Sequence, residues 1–274
     1  MFVLSPARPA LMGILNVTLD SFSDGGEHFE FGAAVDWALR MIDDGADLVD
    51  VGGESTRPGS DPVAEEEETR RVVPVVEALT AEGVPVSVDT MKPAVAAAAL
   101  AAGACVLNDV GGLRDPAMIA VCAASDCTVC AMHMLGLPRT MQRQPTYVDV
   151  VGDVLAFLLE AARTAQAAGI AGDRIWIDPG IGFGKTLDHN LALLKNLGRF
   201  VETAYPVLIG VSRKSFLGTL LGTEDAPLPV SERLEGTLAV QAWAQLQGAR
   251  VIRAHDVKSA RRVIDTTAAL MGVC

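Results

Sequence analysis

Residues 84–109 read VPVSVDTMKPAVAAAALAAGACVLND, and this stretch contains one complete strand–helix–strand unit. The apolar run 84–88 predicts a buried strand, and the alanine-rich stretch after Pro93 predicts a helix with proline in its first turn. A second strand is predicted at 104–107. Two strands joined by a helix are typical of a parallel sheet, so this stretch predicts an α/β fold.

The same alternation continues outward from this unit in both directions. Strands are predicted at 11–15, 48–51, 84–88, 104–107, 128–132, 175–177, 207–211 and 251–253. Eight strand–helix units predict a TIM (β/α)8 barrel made by a single domain over residues 1–274. An open doubly wound sheet is the alternative that this pattern leaves open.

Apolar residues at helical spacing predict which helix faces are buried. They are Val35, Leu39 and Ile42 in the first helix, and Val72, Val76 and Leu79 in the second. Asp115-Pro116 predicts the start of the fourth helix, because aspartate caps a helix and proline fits its first turn. Further helices are predicted at 148–168, from about residue 189, from about residue 231 and at 258–271.

The composition of the 274 residues excludes several classes of protein. Half of the residues are hydrophobic and 20% are charged, which is enough apolar material for a large core. The net charge of -12 argues against binding to nucleic acid or to an anionic membrane surface. Neither a secretory signal pattern nor a membrane-spanning apolar run is found, so we expect a cytoplasmic protein.

Five cysteines are present, an odd number that does not suggest a disulfide framework. Cys127 and Cys130 form a C-x-x-C pattern, which could indicate metal or redox chemistry. They lie on a predicted strand, however, and residues three apart on a strand point to opposite faces. We therefore expect a structural role for both.

Polar residues follow every predicted strand. They are Asn16; Glu54, Thr56 and Arg57; Asp89 and Thr90; Asn108 and Asp109; His133; Asp178; Ser212, Arg213 and Lys214; and Arg253 and His255. Each one alone could be a helix cap or a turn former. In a parallel barrel, however, all eight strand ends meet on one face, which is where active sites of this fold occur.

Basic residues are concentrated at these strand ends although the chain is acidic. They are Arg57, Lys185, Arg213, Lys214 and Arg253. Such a concentration predicts an anionic substrate. The segment Gly184-Lys185-Thr186 is reminiscent of a phosphate-binding P-loop, but Pro179 stands where that pattern requires glycine, which excludes a nucleotide triphosphatase.

Seven segments, in order along nearly the whole chain, resemble the dihydropteroate synthase family. They are LNVTLDSFSDGG at 15–26, DVGGESTRPG at 50–59, SVDT at 87–90, LNDV at 107–110, DPGIGFGKT at 178–186, SRK at 212–214 and RAHD at 253–256. The resemblance implies a TIM barrel. It also implies a transferase of folate biosynthesis, which joins 6-hydroxymethyl-7,8-dihydropterin diphosphate to p-aminobenzoate and releases pyrophosphate.

The resemblance further implies a role for individual residues. The pterin would bind to Asp89, Asn108, Asp178 and Lys214. The diphosphate would bind to Asn16, Thr56, Arg253 and His255, and Asn16 would also hold a Mg²⁺ ion. The p-aminobenzoate pocket would consist of Thr56, Arg57, Pro58, Phe183, Lys214 and Ser215. Asp24, Lys214, Arg253 and His255 would be the catalytic residues.

A mechanism in which the leaving group departs first follows from that resemblance. Pyrophosphate would leave with its charge neutralised, and the weakly basic aryl amine would attack the resulting pterin cation. The family also implies a homodimer and a sulfonamide target, with small-molecule substrates as partners. A pterin-binding methyltransferase barrel and an inactive pterin-binding paralogue are the alternatives.

Three further polar residues are expected to have structural roles. Thr186 is predicted to cap the helix that follows it, and Glu54 is predicted to anchor a loop through backbone N–H groups. His133 lies between two methionines, and we expect it to be structural rather than catalytic.

Overall fold

The computed structural model describes residues 2–17, 27–55 and 59–272. Its strands are β1 (Ala10–Asn16), β2 (Leu48–Gly52), β3 (Val86–Asp89), β4 (Val106–Asp109), β5 (Thr128–Met132), β6 (Ile175–Asp178), β7 (Leu208–Gly210) and β8 (Val251–Ala254). Neighbouring strands are parallel, in the order β6-β5-β4-β3-β2-β1-β8-β7. A parallel bridge between Ile177 and Val207 joins β6 to the start of β7. The sheet therefore closes into the predicted TIM barrel, and the open sheet is excluded.

Helices follow the strands and surround the barrel. They are α1 (Glu27–Asp43), α2 (Glu65–Ala81), α3 (Pro93–Ala101), α4 (Pro116–Ala123), α5 (Val150–Ala167), α6 (Leu187–Lys195), α7 (Leu197–Val201), α8 (Ser215–Leu221), α9 (Leu234–Leu246) and α10 (Val257–Met271). The sequence did not predict α7 and α8, which have 5 and 7 residues. Helices this short span fewer than two turns and give no recognisable apolar period.

The predicted helix caps are confirmed. The Asp115 carboxylate accepts a hydrogen bond of 2.8 Å from the Ala117 N–H at the start of α4. The Thr186 hydroxyl accepts one of 3.2 Å from the His189 N–H, and the His189 ring returns one to the Thr186 N–H, so the two residues form a capping box.

Strands β3 and β4 begin two residues later than predicted. The Val84 and Ala104 N–H groups donate to carbonyls of the preceding helices, Leu79 and Ala99 respectively. These apolar residues therefore close a helix-to-strand turn instead of joining the sheet. Both strands also end later than predicted, so Asp89 and Asn108 lie inside them.

The buried face of α1 differs from the predicted one. Val35, Leu39 and Ile42 are only partly buried, whereas Ala34, Ala38 and Met41 are buried. Small side chains allow the helix to lie close to the barrel, and a β-carbon at Gly13 of β1 would be 2.9 Å from the Met41 sulfur. By contrast, Val72, Val76 and Leu79 of α2 are fully buried, as predicted.

The lower half of the barrel interior is filled by apolar side chains. They are Ala10, Met12, Leu48, Val106, Cys130, Trp176, Leu208 and Val251. The Phe2 ring packs edge-on against Trp176 with a centroid separation of 6.1 Å, at the amino-terminal end of the strands. A ligand can therefore enter only from the opposite, carboxyl-terminal end.

Cys127 and Cys130 belong to different cores, as their spacing predicted. Cys130 lies inside the barrel, and Cys127 packs between the sheet and the helices. Both are free thiols. Among the described residues, no helix combines the length and the apolar character needed to cross a membrane.

Candidate active site

The inward-facing residues change from apolar to polar toward the carboxyl ends of the strands. This polar layer consists of Asp50 on β2, Ser87 and Asp89 on β3, Asn108 on β4, Asp178 on β6 and Arg253 on β8. Side chains on a strand alternate between its two faces, so positions two apart share the barrel interior. The polar layer therefore lies directly above the apolar side chains that fill the lower half of the barrel interior.

Arg253 joins two carboxylates across the barrel. Its Nε donates to Asp50 Oδ2 at 2.6 Å, and its Nη2 donates to Asp89 Oδ2 at 2.8 Å. Asn108 Nδ2 donates to the same Asp50 oxygen at 3.0 Å. The Asp50 side chain is 0% exposed and that of Asp89 is 8% exposed. Arg253 thus supplies the positive charge that both buried carboxylates require.

Several buried polar atoms in this layer have no hydrogen-bond partner among the described residues. Asp50 Oδ1, Ser87 Oγ, Asp89 Oδ1 and Asn108 Oδ1 are all buried and unpaired. An unpaired buried polar atom costs about 1–3 kcal/mol, so native proteins rarely retain several together. Three of the four are acceptors only. The layer is therefore suited to a ligand that carries N–H donors.

Burial shifts the pKa values of the two carboxyl groups nearest the barrel mouth. Burial raises the pKa of Asp89 to about 7, although the Arg253 charge lowers it. Burial also raises the pKa of Asp178, and the Lys214 charge opposes that shift. Perturbed carboxyl groups in a cleft are a common feature of functional sites.

Lys214 lies between two neighbouring strand ends. Its ammonium group donates to the Ile181 carbonyl and lies 4.5 Å from the centre of the Phe183 ring. Burial lowers the pKa of Lys214 to about 8, and Asp178 opposes the shift. Ser215 follows at the start of α8 and is exposed. Three predicted p-aminobenzoate residues thus lie on the loop after β6 and at the junction of the loop after β7 with α8.

The loop after β6 requires glycine. Gly180 has φ of 66°, and a β-carbon there would lie 1.9 Å from the His133 carbonyl oxygen. The Gly180 N–H donates to Asp178 Oδ1 at 2.7 Å. This bond orients the Asp178 carboxylate and leaves its second oxygen for another donor.

The predicted diphosphate residues of the described part lie on adjacent strands. Asn16 ends β1, which pairs with β8, and His255 follows β8. Ser212 Oγ is 3.0 Å from His255 Nδ1 and accepts from the His255 N–H at 3.2 Å, so it orients the imidazole. Arg253 lies deeper than a rim position, because its guanidinium is engaged with Asp50 and Asp89.

Four predicted residues lie outside the described residues: Asp24, Thr56, Arg57 and Pro58. Glu54 and Val63, which flank the last three in the sequence, are bonded to each other. Glu54 Oε2 accepts from the Val63 N–H at 2.8 Å and from the Lys92 ammonium at 2.6 Å, which confirms the predicted anchoring role of Glu54. Lys92 also pairs with Glu68 of α2.

Two of the basic residues expected to attract an anion are engaged elsewhere. Lys185 is 4% exposed and donates to His133 and to the Phe183 carbonyl. Arg213 pairs with Asp256, and its Nε donates to Asp256 Oδ2 at 2.8 Å. The position of a residue directly after a strand therefore does not show whether its side chain enters the mouth of the barrel or turns outward.

Two further polar residues after strands are structural. Asp109 accepts from the Gly111 and Leu113 N–H groups at 2.8 and 2.7 Å, so it stabilises a turn. His133 is buried, and burial lowers its pKa to about 3, with Lys185 adding to the shift. A neutral imidazole in this position agrees with the predicted structural role.

Sequence reasoning missed Asp50 as a site residue. The signal was present, because an aspartate between two valines within a fully buried strand must find a cation or a donor inside the barrel. It also missed Gln142 and Tyr147, which donate to the Gly182 and Gly184 carbonyls at 2.6 and 2.8 Å. Neither follows a strand directly, so no pattern singled them out.

Comparisons with known proteins agree with this geometry. The family model for pterin binding enzymes matches residues 12–255. The dihydropteroate synthase of Escherichia coli K12 is 47% identical over 268 residues, which cover 96% of this chain and 93% of that protein. The dihydropteroate synthase of Neisseria meningitidis serogroup C is 45% identical over 94% of this chain and 91% of that protein.

Solved structures show the same similarity. The Burkholderia cenocepacia dihydropteroate synthase complexed with 7,8-dihydropteroate has a TM-score of 0.89 and 45% identity, over 99% of this chain and 94% of that one. The Yersinia pestis enzyme with a sulfonamide drug complex has a TM-score of 0.90 and 44% identity, over 99% and 97%. The chain therefore belongs to the dihydropteroate synthase family of pterin-binding enzymes.

Proposed function

We propose that this chain joins 6-hydroxymethyl-7,8-dihydropterin diphosphate to p-aminobenzoate and releases pyrophosphate, as a step of folate biosynthesis. The observation that carries the proposal is the set of unpaired acceptors in the polar layer, Asp89 Oδ1 and Asn108 Oδ1 above all. A pterin presents an edge of ring N–H and amino donors. Such an edge would pair both acceptors and remove the cost of leaving them buried and unbonded.

Asp178 and Lys214 suit the two ends of that same edge. The Asp178 carboxylate has one oxygen fixed by Gly180, so the other can accept from a ring amide or amino group. Lys214 has only donors to offer, and it would bind the pterin carbonyl. The opposite polarity of these two groups supports one orientation of the ring.

The diphosphate is proposed to lie at the rim near Asn16 and His255, with Thr56 beside it. Mg²⁺ usually takes one or two protein oxygens together with substrate phosphates. The Asn16 side-chain oxygen fits that requirement, because Gly52 beside it has no side chain and leaves space between Asn16 and Asp89. When bound there, Mg²⁺ would neutralise diphosphate charge.

The reaction is proposed to begin with departure of the leaving group. Arg253 and His255 would stabilise the charge that develops on pyrophosphate. Arg253 uses only Nε and Nη2 in its two carboxylate bonds, so its Nη1 N–H groups can point to the ligand. The aryl amine of p-aminobenzoate then attacks the exocyclic methylene of the pterin, and the amine loses a proton afterwards.

The p-aminobenzoate ring is proposed to lie against Phe183, with Lys214 and Ser215 on one side and the segment Thr56, Arg57 and Pro58 on the other. The contact between Lys214 and the Phe183 ring supports this placement, because it joins the pterin residues to the aromatic wall. Asp24 is proposed to stabilise the cationic intermediate. Closure around both rings would keep water from capturing that cation.

A single assay tests the proposed reaction. Purified protein incubated with the pterin diphosphate, p-aminobenzoate and Mg²⁺ should release pyrophosphate and form dihydropteroate. Omission of p-aminobenzoate should abolish dihydropteroate formation, and excess EDTA should lower the rate. Absence of product with all components present would overturn the proposal.

Two further measurements separate this reaction from the two alternatives. An inactive pterin-binding paralogue would bind the pterin diphosphate in calorimetry and release no pyrophosphate. A methyltransferase barrel would use methyltetrahydrofolate as a methyl donor and would not need p-aminobenzoate. The identity of 44–47% to dihydropteroate synthases of several bacteria favours the synthase over both.

A homodimer is proposed from an apolar surface on α8 and α9. Leu220, Leu221, Trp243 and Leu246 are 43–53% exposed there. The two helices are close, since a β-carbon at Gly236 of α9 would lie 2.9 Å from Leu221. Large exposed apolar side chains on adjacent helices are typical of an interface that pairs with its own copy.

Trp243→Glu should therefore convert the protein to a monomer in sedimentation experiments, because a buried carboxylate without a partner would oppose the interface. Trp37→Glu is the matched control, because Trp37 is 46% exposed on α1, away from this surface. A monomeric native protein would contradict the proposal, as would dimers in both variants.

The cytoplasmic location stays a prediction from the sequence.

A further inference from the structure

The loop Gly180–Gly184, which we call the glycine loop, is held by side chains along its whole length. The Gly180 and Gly182 N–H groups donate to the side chains of Asp178 and Asn190. The carbonyls of residues 181–184 accept in turn from Lys214, Gln142, Lys185 and Tyr147. Loop backbones commonly bond to water, so this arrangement indicates a loop whose shape is set by the protein before any ligand arrives.

Lys185 is one of the buried side chains that hold this loop. Its residue is 4% exposed, and its ammonium nitrogen lies 3.0 Å from His133 Nδ1, 3.0 Å from the Phe183 carbonyl oxygen and 3.4 Å from the His133 carbonyl oxygen. A neutral imidazole can accept through Nδ1. Two of these bonds reach His133 at the end of β5 and the third reaches the Phe183 carbonyl, so Lys185 connects β5 to the glycine loop.

Lys185 is buried without a carboxylate partner. Within 2–17, 27–55 and 59–272, no carboxylate lies within ion-pair distance of its ammonium group. Burial lowers the pKa of Lys185 to about 7, although Asp178 opposes the shift. An apolar side chain would fill this place at lower cost, so a lysine here indicates a requirement for its donors.

The contacts of Lys185 determine where Phe183 lies. On one side, the Phe183 carbonyl is tied to Lys185; on the other, its ring faces the Lys214 ammonium at 4.5 Å. The next residue packs closely against its neighbour and has no room for a side chain, because a β-carbon at Gly184 would lie 2.7 Å from the Leu135 side chain. Releasing the Phe183 carbonyl would free the aromatic ring before it freed the rest of the loop.

We propose that Lys185 is a positioning residue for the p-aminobenzoate subsite: by binding His133 and the Phe183 carbonyl, it holds the Phe183 ring beside Lys214 in the orientation that receives the aryl amine. The proposal rests on the proposed function, which places p-aminobenzoate against Phe183. Lys185 itself touches neither substrate.

Steady-state kinetics of Lys185→Met test the proposal. The KM for p-aminobenzoate should rise about 10-fold, while the KM for the pterin diphosphate should change less than about twofold. Lys195→Met is the matched control, since Lys195 is exposed on α6 and the same atoms are replaced. A purely structural role would lower the amount of folded enzyme and leave both KM values unchanged, and that result would overturn the proposal.

A double-mutant cycle with Phe183→Ala identifies the route of the effect. If Lys185 acts through Phe183, the double variant should have the same KM for p-aminobenzoate as Phe183→Ala alone. The proposal would be contradicted if the rise in KM for p-aminobenzoate in the double variant equalled the product of the rises in the two single variants. Should Lys185→Met fail to fold, Tyr147→Phe removes one hydroxyl that donates to the Gly184 carbonyl of the same loop, and its KM for p-aminobenzoate should rise about threefold. An unchanged KM in that variant would also count against it.

The outcomes distinguish this proposal from the proposed function. Product formation by the native chain tests the function, whatever the variants do. An unchanged KM for p-aminobenzoate in Phe183→Ala would remove Phe183 from the subsite, which is a failure of the proposed placement. A raised KM in Phe183→Ala together with unchanged kinetics in Lys185→Met would overturn the role of Lys185 alone.

Discussion

Lys214→Ala is expected to lower kcat/KM for the pterin diphosphate about 100-fold or more, which corresponds to about 3 kcal/mol of transition-state stabilisation. Lys214 is the residue that faces both proposed subsites, since it lies over the Phe183 ring and close enough to Asp178 for their charges to interact. Its loss removes a donor to the pterin carbonyl and the charge that lowers the pKa of Asp178. Initial rates at saturating p-aminobenzoate measure the effect.

The pH profile gives a second test of the same residue. Burial lowers the pKa of Lys214 to about 8, so the ammonium form is lost as the pH rises through that value. The native enzyme should therefore lose kcat/KM above about pH 8, and Lys214→Ala should lack that alkaline limb. Lys195→Ala controls for the loss of a surface lysine. A variant with nearly native kcat/KM would remove Lys214 from the proposed site.

The barrel was predictable because its strands are buried on both faces and separated by helices. Each strand forms a short apolar run that stands out from the longer amphipathic stretches, and the run 128–132 coincides with β5. The inner face of α1 was not predictable from hydrophobicity. Ala34 and Ala38 lie closest to the sheet because they are small, and a search for large apolar residues selects Val35 and Leu39 instead.

The sequence predicted which strand ends carry the candidate site. It predicted much less well in which direction each side chain points. Asp89 and Asp178 enter the mouth, whereas Asp109 closes a turn and Arg213 pairs with Asp256. Direction depends on strand register, and a shift of one residue reverses it. The sequence also did not show the partners of Arg253, because β8 is distant along the chain from β2 and β3 and no local pattern links them.

Arg253→Met is expected to lower the free energy of unfolding by about 3–5 kcal/mol, because it leaves two buried carboxylates without their cation. Asp50 is 0% exposed, and within the described part of the chain it receives one other bond, from Asn108. A domain of ordinary stability has about 5–15 kcal/mol in total, so the loss should be plain in urea unfolding. Arg213→Met is the matched control, and its exposed pair with Asp256 should contribute less than about 1 kcal/mol.

The dependence of this loss on pH follows from the pKa of Asp89, which burial raises to about 7 while Arg253 lowers it. A carboxyl group whose folded pKa is raised binds a proton on folding, so it makes the folded state less stable as the pH rises toward that pKa. Without Arg253 the folded pKa of Asp89 should be higher still. The variant should therefore continue to lose stability above about pH 7, where the native chain no longer does. Adding Asp50→Asn to the variant removes one uncompensated charge and should recover part of the loss. A penalty that is the same at pH 6 and pH 8.5, and that Asp50→Asn leaves unchanged, would mean that Arg253 stabilises the barrel by packing rather than by its charge.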